Sequence, residues 1–143
     1  MTQPKKGISS TGKEMHYSVG ALIEQKGKVL LIDRVHIPLG FAGPAGHVDE
    51  GETPEQALKR EVKEETGLEV TTMKQLFEEE INWNACGHGG EAHYWYVYAC
   101  EVEGKVKRNK EEIKAIGWYT SEEIRKLKLE QVWVYWLKRL KII

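Results

Sequence analysis

The chain has 143 residues with 21 basic and 22 acidic side chains, a formal net charge of −1, and is 41% hydrophobic and 30% charged. That length suits one domain with a core of its own, and the charge balance excludes a protein that holds nucleic acid through a large basic excess. No run approaches the roughly 18 apolar residues of a membrane span, the polar N-terminus lacks the apolar stretch of a secretory signal, and two cysteines, Cys86 and Cys100, are too few for a disulfide framework, so a cytoplasmic chain is expected.

In chain order, residues 1–14 carry little to bury and read as a flexible N-terminal arm, leaving 15–143 as a single domain. His16 to Glu24 and Lys28 to Asp33 are β-type runs around a short Gly-containing loop, which predicts a hairpin. Pro38 to Gly46 is rich in Gly and Pro and reads as loop. Thr53-Pro54-Glu55-Gln56 combines an N-cap hydroxyl, proline at the first helical position and Gln three residues after the cap. The helix it opens should run to Thr66 and stop at Gly67. Strands are expected at Glu69 to Asn82, with an interruption, at Glu91 to Val102 and at Ala115 to Tyr119. Thr120-Ser121-Glu122-Glu123 repeats the capping pattern for a short helix. Leu129, Val132, Trp133, Trp136, Leu137 and Leu140 recur at helical spacing and define a last amphipathic helix. Strands and helices mix without regular βαβ alternation, so an α+β fold is expected.

The chemistry concentrates in Gly46 to Leu68. On the predicted helix Glu61, Glu64 and Glu65 stand at i, i+3 and i+4 and project from one side, while Leu58 and Val62 form an adjoining apolar stripe. Glu61 and Glu65 repel each other, and partial burial makes the repulsion worse. A divalent cation removes that penalty, and carboxylate oxygens suit Mg²⁺ or Mn²⁺ rather than Zn²⁺.

The segment resembles the Nudix box, Gly-x5-Glu-x7-Arg-Glu-U-x-Glu-Glu-x-Gly-U with U a bulky aliphatic residue. Gly46, Glu52, Arg60, Glu61, Val62, Glu64, Glu65, Gly67 and Leu68 fill every fixed position. At ordinary residue frequencies seven fixed residues coincide about once in 10⁸ windows. The resemblance implies an α/β/α sandwich around a mixed β-sheet. It also implies a Mg²⁺-dependent (or Mn²⁺-dependent) pyrophosphohydrolase that cleaves a nucleoside diphosphate linked to another group, NDP-X, into NMP and P-X.

Carried over residue by residue, Glu64 and Glu65 would be the principal metal ligands and Glu61 a further ligand or the base that activates water. A backbone carbonyl at Ala45 or Gly46 would complete the metal shell, and Glu52 and Arg60 would tie loop to helix by a salt bridge. Trp118 supplies the landmark for one more carboxylate, for which Glu112 is the choice and Glu111 the next. Tyr94, Tyr96 and His47 are candidate substrate contacts, although core packing explains most aromatics of Glu91 to Val102. The expected partner is a small nucleotide or nucleoside diphosphate derivative, with no large nucleic acid and no membrane; a homodimer is compatible with the resemblance. A nucleotide-binding or regulatory domain of the same fold without turnover is the alternative.

Other residues invite chemistry less strongly. Cys86, His88, His93 and Cys100 lack a CxxC or HxxxH pair, so zinc is not expected of them. Gly87 to Gly90 reads as a flexible loop near the substrate. The basic residues of the last helix, Lys138, Arg139 and Lys141, suit its C-terminal end better than a membrane surface. No proline follows Pro54, which disfavours the ADP-ribose-specific and NADH-specific patterns of the family; the leaving group stays open.

Overall fold

A computed structural model describes residues 3–83 and 91–143. The sheet is organised around β2 (Glu14–Gln25), a 12-residue strand that is buried along most of its length. One edge of β2 is taken from Met15 to Ile23 by β7 (Ala92–Glu103), in parallel register. Its other edge is therefore left to two short antiparallel partners in succession, β1 (Lys6–Ile8) and β5 (Ala45–His47). β6 (Glu69–Ile81) runs antiparallel to β7 with register shifts at Val70/Thr72 and Gln75/Phe77, the interruption expected from the sequence.

The β2–β3 hairpin closes over Lys26 and Gly27, both at positive φ, 52° and 76°, and β3 (Lys28–Arg34) then leaves β2 to pair with β4 (Phe41–Ala42) and β8 (Ile113–Tyr119). Two left-handed residues in a two-residue turn match the twist of the strands they join.

Helices cover both faces. α1 (Pro54–Thr66) starts with the expected reciprocal cap, Thr53 and Gln56 each accepting the other's backbone N–H, and stops at Gly67, whose φ of 78° is the left-handed conformation glycine takes without strain. Its Ala57, Leu58 and Val62 pack on Val19, Ala21 and Ile23 of β2 and on Tyr98 and Cys100 of β7. On the opposite face, α2 (Ser121–Ile124) and α3 (Gln131–Arg139) bring Ile124, Trp133, Trp136 and Leu137 against Leu22, Trp95 and Val97. Trp133 comes so close to the sheet that a Cβ at Gly20 or Gly43 would overlap it. The result is an α+β fold in which odd-numbered residues of β2 face α1 and even-numbered ones face α3, as strand alternation requires.

Two expectations need correction. Residues 6–8 of the expected arm form β1, and Lys5 N–H donates to the Val48 carbonyl while Glu50 N–H donates to that of Gln3. The edge of β2 that β7 leaves open supplies backbone partners which composition alone does not reveal. The Pro38 to Gly46 loop contains β4 and the start of β5, strands too short to show a period of two.

Candidate active site

α1, β5 and the end of β3 meet around the box. Arg60 is the hub. Its Nε and Nη2 donate to the two Glu52 oxygens at 2.7 and 2.9 Å, a bidentate pair that holds the loop after β5 against the helix. Nη2 also donates to the His47 carbonyl at 3.0 Å and lies 3.3 Å from Asp49, while Nη1 donates to Glu61 at 2.8 Å and Glu64 at 3.3 Å. The guanidinium holds the Glu52 carboxyl below its usual range.

The three carboxylates of the helix differ in depth. Side-chain exposure is 48% for Glu64, 13% for Glu61 and 4% for Glu65. Glu65 accepts the Ala45 N–H at 2.9 Å and lies 3.9 Å from Arg34 of β3. Glu61 sits against Gly46, where any Cβ would overlap its carboxyl group, so a side chain at position 46 would displace that carboxylate. Burial pushes the Glu61 carboxyl up to about 7 against the pull of Arg60, and it pushes Glu65 well above the carboxylate range. The charge of Glu64 raises Glu61, that of Glu61 raises Glu65, and the charge of Glu112 raises both.

Glu112 reaches this place because its carbonyl accepts the Val35 N–H at 2.9 Å, next to Arg34. The sequence choice of Glu112 over Glu111 thus falls on the carboxylate that the Glu61–Glu65 pair senses. Buried like charges of this kind suit a hard divalent cation, and the donor set is all oxygen. The residues fit Mg²⁺ or Mn²⁺. Outside this cluster, an open cleft of about 520 Å³ runs past Glu64 and is lined by Lys63, Lys105, Lys107, Arg108, Gly67 and Asn109. Its four cations come from two chain segments, Lys63 on α1 and Lys105 to Arg108 after β7, and nothing in their local spacing marks them.

The tyrosines lie elsewhere on the α1 face. Tyr94 donates to Glu78 at 2.6 Å, Tyr98 donates to Glu55 at 2.9 Å, and the Tyr96 ring packs 5.2 Å from that of Tyr94. Tyr94 is thus tied to Glu78 of β6, and Tyr96 lies where it feels Glu78 and Glu55 rather than Glu61 or Glu65. The His47 ring is not with the carboxylates either. It stacks on His93, with ring centroids 5.8 Å apart, and meets His16 edge-on at 5.2 Å. Alternation along β5 sends Gly46 toward α1 and His47 to the other side. Cys100 is buried on the α1 face, away from His93; Cys86, His88 and Gly87 to Gly90 lie outside the described residues.

The NUDIX domain family profile matches residues 14–140. The chain belongs to the Nudix family. Nucleoside triphosphatase NudI of Enterobacter sp. (strain 638) is 31% identical over 120 residues, 77% of this chain and 85% of that protein. The ADP-ribose pyrophosphatase of Methanocaldococcus jannaschii is 51% identical over 61 residues, 41% of this chain and 36% of that one. Among solved structures, the MutT NUDIX hydrolase from Burkholderia pseudomallei superposes with a TM-score of 0.76 at 25% identity, covering 87% of this chain and 96% of that one. The Nudix α+β architecture is thus shared. No helix among the described residues is long and apolar enough to cross a membrane.

Proposed function

We propose that this Nudix protein hydrolyses a nucleoside diphosphate derivative, NDP-X, to NMP and P-X with the help of Mg²⁺ or Mn²⁺. The observation that carries this reading is the carboxylate cluster, in which Glu61 and Glu65 are buried together and both sense Glu112. Glu64 and Glu65 would hold the ion with the help of Glu61, and the carbonyl of Ala45 or Gly46 would complete the site from β5. When bound, the ion neutralises the diphosphate and makes water a stronger nucleophile.

The chain's own residues do the rest. Arg60 holds Glu61 and Glu64 in place and, through Glu52, keeps the loop from drifting off the helix. Oxygen of water attacks phosphorus, the anhydride P–O bond breaks toward the departing group, and Glu61 or Glu112 accepts the water's proton. Lys63, Lys105, Lys107 and Arg108 favour the approach of an anionic substrate along the cleft beside Glu64. Tyr96, half-buried, is the better placed of the two tyrosines to offer a ring to a base, because the Tyr94 hydroxyl is committed to Glu78. The relatives' names, a nucleoside triphosphatase and an ADP-ribose pyrophosphatase, support a nucleotide substrate.

The test is a screen of nucleoside diphosphate derivatives with Mg²⁺ and with EDTA, followed by Glu64→Gln. Glu64 is half exposed, so the variant keeps the fold, and kcat should drop by a factor on the order of 10³ or more. Near wild-type turnover by Glu64→Gln on a confirmed substrate overturns the residue assignment. Tight nucleotide binding without product in any metal condition points instead to a binding or regulatory domain.

A further inference from the structure

The sheet face away from the carboxylates carries a second group of ligating side chains. His16 of β2 stands directly opposite His93 of β7 in the parallel register, and His47 of β5 stands opposite Ser18, two residues along β2 from His16. Alternation then puts all three imidazoles on one face, the face that carries Trp95 and against which α3 packs. One ring nitrogen from each lies within 4.8 Å of the other two. The His47 and His93 rings are stacked, 7° from parallel, and His16 meets them at 85° and 90°. His16 and His93 are buried and His47 is half-buried, so the group is walled on the core side and open at His47.

We infer that His16, His47 and His93 form a second metal site, distinct from the acidic one, that takes a borderline transition ion of the Zn²⁺ type. Neutral imidazoles bind Zn²⁺, Co²⁺, Ni²⁺ and Cu²⁺ in preference to Mg²⁺, whereas the all-oxygen cluster across the sheet has the reverse preference. Tetrahedral ligation at about 2.0–2.1 Å places nitrogens roughly 3.3 Å apart, so side-chain rotation that brings each nitrogen in by about 1 Å closes the site. Three protein nitrogens leave a fourth position. Glu14, with Oε2 3.6 Å from His16 Nε2 and its side chain half exposed, stands at the rim, where it can orient His16 or hydrogen-bond a fourth ligand.

The site would also reach the acidic cluster mechanically. Ligation at His47 pins β5 to β2 and β7 at the residue after Gly46, and the His47 carbonyl is the one that Arg60 grips. An occupied site therefore fixes the strand on which the carboxylates rest.

The probe is Co²⁺, titrated into metal-free protein in excess Mg²⁺, which covers the carboxylates. The expected result is one equivalent of Co²⁺ with the intense visible absorption of a tetrahedral nitrogen site, displaced by one equivalent of Zn²⁺. His47→Ala, at the half-buried position, should abolish that absorption and weaken Zn²⁺ binding at least 10-fold with an unchanged circular dichroism spectrum. His93→Gln should do the same, and Glu64→Gln should leave the absorption intact. Only weak, octahedral-type absorption in the wild-type protein overturns the site whether or not the variants fold. So does a signal that Glu64→Gln removes and His47→Ala does not, because the ion then sits on the carboxylates.

Discussion

Two neighbouring residues of β5, Gly46 and His47, face opposite sides of the same sheet and meet opposite chemistries. On the α1 side, Gly46 gives room to Glu61 inside a network of carboxylates knotted by Arg60. On the α3 side, His47 joins two other imidazoles above a core of Trp95, Trp133 and Trp136. The acidic cluster comes mostly from one helix, at i, i+3 and i+4, and its geometry is set as soon as that helix forms. The histidine cluster draws one residue from each of three strands and exists only in the correct register. A one-residue slip of β7 against β2 would send His93 to the other face and bring Tyr94 opposite His16.

The sharpest break of this comparison is Gly46→Ala. The new Cβ overlaps the Glu61 carboxyl group, so Glu61 or β5 must move, while the backbone at Gly46 is not in the left-handed region and the substitution carries no φ strain of its own. Turnover should fall about 100-fold or more, in line with the loss expected when a positioned group is displaced by an ångström. His47 and its partners should be less affected than Glu61. Activity within a few-fold of wild type would mean that Glu61 moves aside freely and is not held in a working position.

Legibility in the sequence follows the same division. The cap at Thr53, the stop at Gly67, the Leu58 and Val62 stripe and the three box carboxylates are all short-range relations, and each is found where its spacing puts it. β1, β4 and β5 were hidden because strands of two or three residues have no readable period and exist through their partners. Arg34 beside Glu65 and the cations of the cleft depend on chain segments that meet only after folding. Cys100, one of the residues the sequence offered beside His93, faces α1, and the other two, Cys86 and His88, lie outside the described residues, so His93 was visible only as a single residue. Its partners His16 and His47 are 77 and 46 residues upstream.

Arg60→Ala separates structure from catalysis on the α1 side. It leaves the buried Glu61 and the loop residue Glu52 without their cation, and about 3 kcal/mol of stability should be lost in the metal-free protein. A urea titration with an unchanged slope reads this directly. Added Mg²⁺ should recover part of the loss, since the ion replaces positive charge at Glu61 but not the bridge to Glu52. Full recovery would reduce the Arg60–Glu52 pair to an accessory of the metal site. Arg60→Lys should restore less than half of the lost stability, because an ammonium group cannot make the two-pronged contact.

The smallest expected effect lies on the α3 side. Glu130, the residue before α3, is buried, makes no side-chain capping bond, and burial pushes its carboxyl up to about 7 although Arg34 pulls it down. In the unfolded chain the same group titrates near 4.5. Between these values the folded protein binds the proton that the unfolded chain has released, so stability falls as pH rises through this window and is greatest, for this group, below it. Glu130→Gln keeps the shape and removes the titration, so the fall between pH 4.5 and 7 should shrink by about 1–2 kcal/mol. Thermal unfolding of both proteins across that range provides the measurement, made once in EDTA and once in Mg²⁺. Glu61 and Glu65 are raised in the same direction on the other face, so wild-type protein in EDTA should show all three contributions and in Mg²⁺ chiefly that of Glu130. If Glu130→Gln leaves the slope untouched in Mg²⁺, the Arg34 charge offsets the burial of Glu130 in full, which it does not do for Glu65, and the titration on the α3 side is not that of Glu130.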